Sequence, residues 1–131
     1  VIGKRGLDVA GSRRLLIQRT RLSAGRVSSG VAPLDDMLGG GYFCGASILV
    51  TGSPGTAKTS LGGAFVDAAC QRGEKALFVI FDSDPSEVVR NLASINVRLV
   101  RHQRSGLLHV AAARSGNSSA EVHLAWIKDL V

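Results

Sequence analysis

Gly52-Ser53-Pro54-Gly55-Thr56-Ala57-Lys58-Thr59 is the stretch whose residue types and spacing point most directly to chemistry. Glycines let a backbone curl closely around an anion. Successive backbone N–H groups and the start of a helix then hold it. In such a loop Lys58 reaches the terminal phosphates of a nucleotide, and the Thr59 hydroxyl holds Mg²⁺. The strict pattern has glycine before the lysine, where this chain carries Ala57. A helix-start conformation accepts alanine, so the backbone is expected to survive, with the methyl group crowding the phosphates. An ordinary strand–turn–helix corner with a chance Lys-Thr is the bland alternative. The flanking elements and the two glycines in place favour phosphate binding.

A phosphate loop requires a strand before it and a helix after it. Ser47 to Thr51 is a short apolar run and reads as the strand. A helix is expected from about Lys58 to Arg72, with Leu61, Phe65, Ala68 and Ala69 as its apolar stripe and Gly73 just past its end. Ala76 to Phe81 is apolar throughout, as a parallel strand covered on both faces is. Asp84-Pro85-Ser86-Glu87 opens a helix with an acidic cap, a proline and a following glutamate. Val88, Val89, Leu92 and Ile95 carry that helix, and Asn96 suits a left-handed exit. Leu107 to Ala111 is a third strand. Ser118 and Glu121 form a second capping box, opening a helix with Leu124, Ile127 and Val131 on one face. The alternation predicts an α/β fold with a parallel sheet flanked by helices and right-handed crossovers.

Ahead of this body, Ser28-Ser29-Gly30 is a loop. Pro33, Leu34 and Leu38 suit a short helix that Gly39-Gly40-Gly41 ends. Residues 1–10 suit a hairpin with its turn at Gly3 to Gly6. The last helix reads apolar to Leu130-Val131 without a stop signal, so a further strand is expected beyond it.

The chain of 131 residues is one domain or less by length, and 45% apolar with 20% charged residues is globular composition. No apolar run approaches the ~20 residues of a helical membrane span, and no secretory leader is expected. Cys44 and Cys70 lack metal-ligand spacing and suit two thiols in a reducing cytoplasm. Sixteen basic and ten acidic residues give +6. Residues 1–26 hold seven of the basic residues (Lys4, Arg5, Arg13, Arg14, Arg19, Arg21, Arg26) and one acid, Asp8, so the body nets to zero. A basic arm suits nucleic acid, an anionic surface or an acidic partner. With no aromatic residues to stack on bases, it reads better as a solvated linker. His102, among Arg98, Arg101 and Arg104, reads as loop, and His109 as a core histidine in a strand. His123 and Trp126 carry no assigned chemistry.

Arg26-Val27-Ser28-Ser29-Gly30-Val31, Leu34 to Tyr42, the loop, Val66 to Cys70, Phe81 to Pro85 and Arg90-Asn91-Leu92 together closely resemble the KaiC family of RecA-like P-loop ATPases. The likeness covers residues 26–131 and is strongest to the second of the family's two tandem domains. It implies an N-terminal part of an ATPase domain over 27–131, cut before the Walker B strand. Residues 1–26 would then be the end of a preceding domain plus a linker. It further implies ATP and Mg²⁺ as cofactors, a homo-oligomeric hexameric ring with nucleotide at subunit interfaces, and, in some members, autophosphorylation and clock partners. Where the family carries two adjacent glutamates after the second strand, one of which activates water, this chain has Asp82 and Ser83. Asp82 is one methylene shorter, Ser83 is no carboxylate, and Asp84 is better placed as a helix cap. Asp82 is therefore a candidate base or a plain strand-end carboxylate. The competing functions are a RecA/RadA-like nucleic-acid-dependent ATPase and a non-hydrolysing nucleotide-gated scaffold.

Overall fold

The computed structural model describes residues 2–3, 6–7, 25–117 and 119–131. Strand β1 (Ile2–Gly3) pairs antiparallel with β2 (Gly6–Leu7), Ile2 opposite Leu7, as the hairpin reading expects. The expected linker and most of its cations lie outside the described residues.

Arg26 belongs to the body instead. Strand β3 (Arg26–Val27) pairs antiparallel with β4 (Tyr42–Phe43). Helix α1 (Ala32–Met37) lies between them, with Pro33 in its first turn. The Arg26 guanidinium donates to the carbonyls of Leu38 at 2.6 Å and Gly41 at 2.8 Å, and lies 3.9 Å over the Phe43 ring. It thus satisfies acceptors just past the end of α1 and staples the glycine turn to β3. Asp35 reaches back from α1 to the Ser28 hydroxyl and the Ser29 N–H, which hold its carboxyl below the usual range, the Ser28 hydroxyl first.

Helix α2 (Lys58–Gln71) follows the loop, and Arg72 closes it ahead of Gly73 at φ +82°. Its most buried side is Gly63, Ala64, Val66, Asp67, Ala69 and Cys70, whereas Leu61, Phe65 and Ala68 of the expected stripe are half-buried. The discrepancy has a plain origin: glycine and aspartate occupy the buried side and score as polar in any hydropathy pattern. Leu61 and Phe65 instead face the 42–50 segment, Phe65 meeting Tyr42 edge-on at 5.7 Å.

Strand β5 (Ala76–Phe81) pairs in parallel with β6 (Leu108–Ala113), in register from Ala76 opposite Leu108 to Phe81 opposite Ala113. The crossover contains α3 (Pro85–Ser94) and α4 (Leu99–Arg104). Asp84 caps α3 by accepting from the Ser86 and Glu87 N–H groups at 2.7 and 3.2 Å, and Asn96 takes the left-handed exit at φ +67°. Ala76, Phe78, Leu108 and Val110 present one face of the pair to a core of Ala64, Val66, Cys70, Val89, Leu92, Val97 and Leu99. On the other face Phe81 meets His123 of α5 (Ala120–Leu130).

Four expectations need correction. Ser47 to Thr51 forms no strand: Ile48, Leu49 and Val50 are exposed, and no ladder partner runs beside them among the described residues. A strand requires a neighbour for its N–H and C=O groups, and apolar composition does not supply one. Helix α5 begins at Ala120 with Ser119 in the N-cap position, where its side chain makes no cap hydrogen bond, and Ser118 of the expected capping box lies outside the described residues. Leu124 and Val131 are exposed, and its inner side is Val122, His123, Trp126, Ile127 and Leu130. His102 stands on a helix and is buried, while His109 stands on the β6 face away from the main core and is itself exposed.

Candidate functional site

The loop between Thr51 and α2 is built by two residues in the left-handed region. Gly55 has φ +82° and Ala57 has φ +59°, ψ +20°. Thr56 closes the bend with its N–H and hydroxyl on the Ser53 carbonyl, at 3.3 and 2.7 Å. The helical ladder begins with Leu61 N–H on Ala57 O at 2.9 Å. The N–H groups of the first turn therefore have no intrahelical acceptor, as at every helix start. Lys58 folds over the bend, its ammonium donating to the carbonyls of Gly52 at 2.7 Å and Ser53 at 2.6 Å. A cation, a positive dipole end and a close-turned backbone thus meet at one exposed loop. Gly52 must be small: a Cβ there would lie 2.6 Å from the Thr56 hydroxyl oxygen. Thr59 stands exposed in the first turn, a hard oxygen donor of the kind Mg²⁺ accepts as one ligand among phosphates and waters. These residues fit a nucleotide's phosphates and its metal.

Ala57 departs from expectation. It occupies not a helical conformation but the left-handed one, which costs an L-residue about 1–2 kcal/mol and glycine nothing. The glycine of the strict pattern is thus a conformational requirement. Ala57→Gly is expected to raise the unfolding free energy by about 1 kcal/mol and leave ATP affinity equal or higher. Urea titration and calorimetry check this, and Ala57→Val should move stability the opposite way.

At the end of β5 the chain again turns left-handed, at Asp82 with φ +58°. The Asp82 N–H donates to Ala113 O at 3.1 Å, continuing the ladder one step beyond β5. Both of its carboxylate oxygens are engaged by Ser115, one by the backbone N–H at 2.9 Å and the other by the hydroxyl. These bonds, the hydroxyl's first, hold the Asp82 carboxyl below the usual range, and Arg114 and His123 add to the effect. Ser83 is exposed in the turn that follows. Asp84 is occupied as a cap, its carboxyl lowered first by the Ser86 hydroxyl and then by the Glu87 and Ser86 N–H groups. Of the two acids at this strand end, one caps a helix and the other spans to β6.

Two histidines take on roles the sequence did not assign. His102 Nε2 lies 2.7 Å from Asp67 Oδ1, and their side chains are 8% and 12% exposed. Gln71 donates to the other Asp67 oxygen at 2.6 Å, and Arg101 reaches the same carboxylate at 3.3 Å. This polar knot ties α4 to the helix that follows the loop. The available signal was Leu99 and His102, three apart on one helical face with Leu99 fully buried. His123 presses its ring edge-on against Phe81 at 5.1 Å, and its Nε2 is buried with no partner among the described residues. Both cysteines are free, and burial pushes the Cys70 thiol up, consistent with a packing role.

Among the described residues no group of histidines, cysteines and acids could hold a metal without a ligand's help, and no helix is long and apolar enough to cross a membrane.

Comparison with known proteins agrees with this geometry. Residues 27–129 match the family model of the KaiC ATPase. The chain is 38% identical over 134 residues to circadian clock protein KaiC2 of Synechocystis sp., covering 98% of this chain and 23% of that protein. It is 41% identical over 108 residues to the circadian clock oscillator protein KaiC of Thermostichus vulcanus, covering 82% of this chain and 21% of that one. To the KaiC of Parasynechococcus marenigrum it is 36% identical over 129 residues, covering 97% and 25%. The chain thus spans about a fifth to a quarter of the length of these relatives. A glycine-turned loop feeding a helix, a parallel strand pair beside it and a family match over 27–129 together make this chain a nucleotide-binding α/β module that belongs to the KaiC ATPase family.

Proposed function

We propose that this chain binds ATP through Gly52 to Thr59, that the full-length protein turns ATP over slowly, and that the chain alone hydrolyses it at no measurable rate. Lys58 neutralises the terminal phosphates, the first-turn N–H groups of α2 hold phosphate oxygens, and the Thr59 hydroxyl is one ligand of Mg²⁺. Bound Mg²⁺ supplies charge neutralisation at the phosphoryl group during hydrolysis. Asp82 is the carboxylate that orients the attacking water, with Ser83 leaving it unaided where the family carries a second acid. The observation that carries the reading is the Lys58 ammonium folded onto the Gly52 and Ser53 carbonyls at the start of α2. The relatives' names, circadian clock protein and clock oscillator protein, support protein partners of the clock type for the full-length protein. A homo-oligomeric ring, a cytoplasmic location and autophosphorylation elsewhere in the full-length protein rest on the family resemblance. A DNA-driven motor is less well supported, because the basic N-terminal segment carries no aromatic residue to stack on bases. The engaged Asp82 favours one alternative, a nucleotide-gated scaffold that binds without hydrolysing.

The experiment is ATP binding by the full-length protein with and without Mg²⁺. Wild type is expected to bind more tightly with Mg²⁺, and Thr59→Ala to lose most of that difference while keeping its Mg²⁺-free affinity. Equal Mg²⁺ dependence in both proteins would remove Thr59 from the metal. Salt-sensitive DNA binding that accelerates hydrolysis would favour the motor instead.

A further inference from the structure

Asp82 and Ser115 lie 33 positions apart, one just past β5 and the other just past β6, and are bound to each other twice. The parallel register makes this possible, because Phe81 and Ala113 are paired and their chains leave the sheet side by side. The contact is on the surface, with both residues exposed. Asp82 also sits in the left-handed region, a conformation that persists in non-glycine residues only where neighbours hold it and that recurs at switch points. A carboxylate with both oxygens filled by donors is poorly placed to accept a proton from water. The same bonds that fix it make it a weaker base.

We infer that Ser115 is a latch on Asp82: the Ser115 N–H and hydroxyl hold the carboxylate in a resting position, and hydrolysis requires its release. Ser115 is a positioning residue in this sense, and the inference rests on the reading of Asp82 as the carboxylate that orients water. Strain at φ +58° and two exposed hydrogen bonds oppose one another, so the arrangement can yield to a modest change at the strand end, such as one that follows nucleotide binding at Gly52 to Thr59. The groups facing Asp82 are Ser115 and Arg114 after β6 and His123 of α5, whose ring packs on Phe81. Arg114 and a protonated His123 both favour the ionised carboxylate, so they add to the latch's depression of its basicity and do not replace it.

Single-turnover ATP hydrolysis by the full-length protein, followed across pH, tests the latch. Ser115→Ala removes the hydroxyl, and because Ser115 is exposed the fold should tolerate it. Hydrolysis is expected to rise roughly 10-fold, a part of the ~10²–10⁴ that full general-base help is worth, at unchanged ATP affinity. The acid limb of the profile should move to higher pH, since losing a bond to the charged form raises the carboxyl's pKa. Ser115→Thr, which keeps a hydroxyl, should behave as wild type, and Ser115→Ala in an Asp82→Asn background should change nothing further. If Asp82→Asn slows hydrolysis but Ser115→Ala neither accelerates it nor moves the limb, the latch is wrong and the role of Asp82 stands. If Asp82→Asn leaves hydrolysis unchanged, the reading of Asp82 fails and takes the latch with it.

Discussion

Replacing Lys58 by alanine is expected to weaken ATP binding by the full-length protein at least ~30-fold and up to several thousand-fold, the ~2–5 kcal/mol typical of removing one partner from a desolvated charge pair. The ammonium is already collected at the loop, 2.6–2.7 Å from two of its carbonyls. Those carbonyls are neutral acceptors, and phosphate oxygens are charged ones, so a nucleotide should draw the same cation a short way outward. Lys58→Arg should rescue only in part, because a planar fork does not replace a compact point charge at a tight turn. Calorimetry with Mg²⁺-ATP checks both. Unchanged affinity in Lys58→Ala would dismiss the loop as the phosphate site, and circular dichroism would show whether a loss reflects unfolding instead.

His102→Ala should destabilise the chain by about 3 kcal/mol, the low end of the ~3–5 kcal/mol seen when one member of a buried pair is removed. Asp67 keeps Gln71 and the half-exposed Arg101 as partners, which is why the low end applies. The larger part of the cost is the carboxylate left in a buried place, not the value of the lost bond. The paired replacement Asp67→Leu with His102→Leu should therefore recover most of the loss, since two apolar side chains leave no polar group unmet. Urea unfolding with a constant m-value measures this. A double variant less stable than His102→Ala alone would mean that the knot itself, not an orphaned charge, holds α4 to α2.

The sequence determined what depends on a few consecutive residues. The left-handed exits at Asn96 and Gly73, the acidic cap and proline opening α3, and the strand patterns of 76–81 and 107–111 are all local, and all appear in the structure, the last as a strand over 108–113. The phosphate-binding composition of Gly52 to Thr59 is local too, which is why the loop and the family were legible at once. What the tertiary structure decided lies across distance in the chain. Ser47 to Thr51 has the composition of a strand, but a strand exists only with a neighbour to share its hydrogen bonds, and none lies beside it among the described residues. Arg26 was indistinguishable from six other cations until α1 brought its final carbonyls within reach. His102 and Asp67, 35 positions apart, and Ser115 and Asp82, 33 apart, are polar residues that any hydropathy pattern sends to the surface. Each is held in place by a partner that only the parallel crossover brings near. Even Ala57 follows this rule. Its side chain tolerates a helix start well, but the bend between Gly55 and Lys58 demands a left-handed residue there, and that demand comes from the path of the backbone rather than from the residue itself.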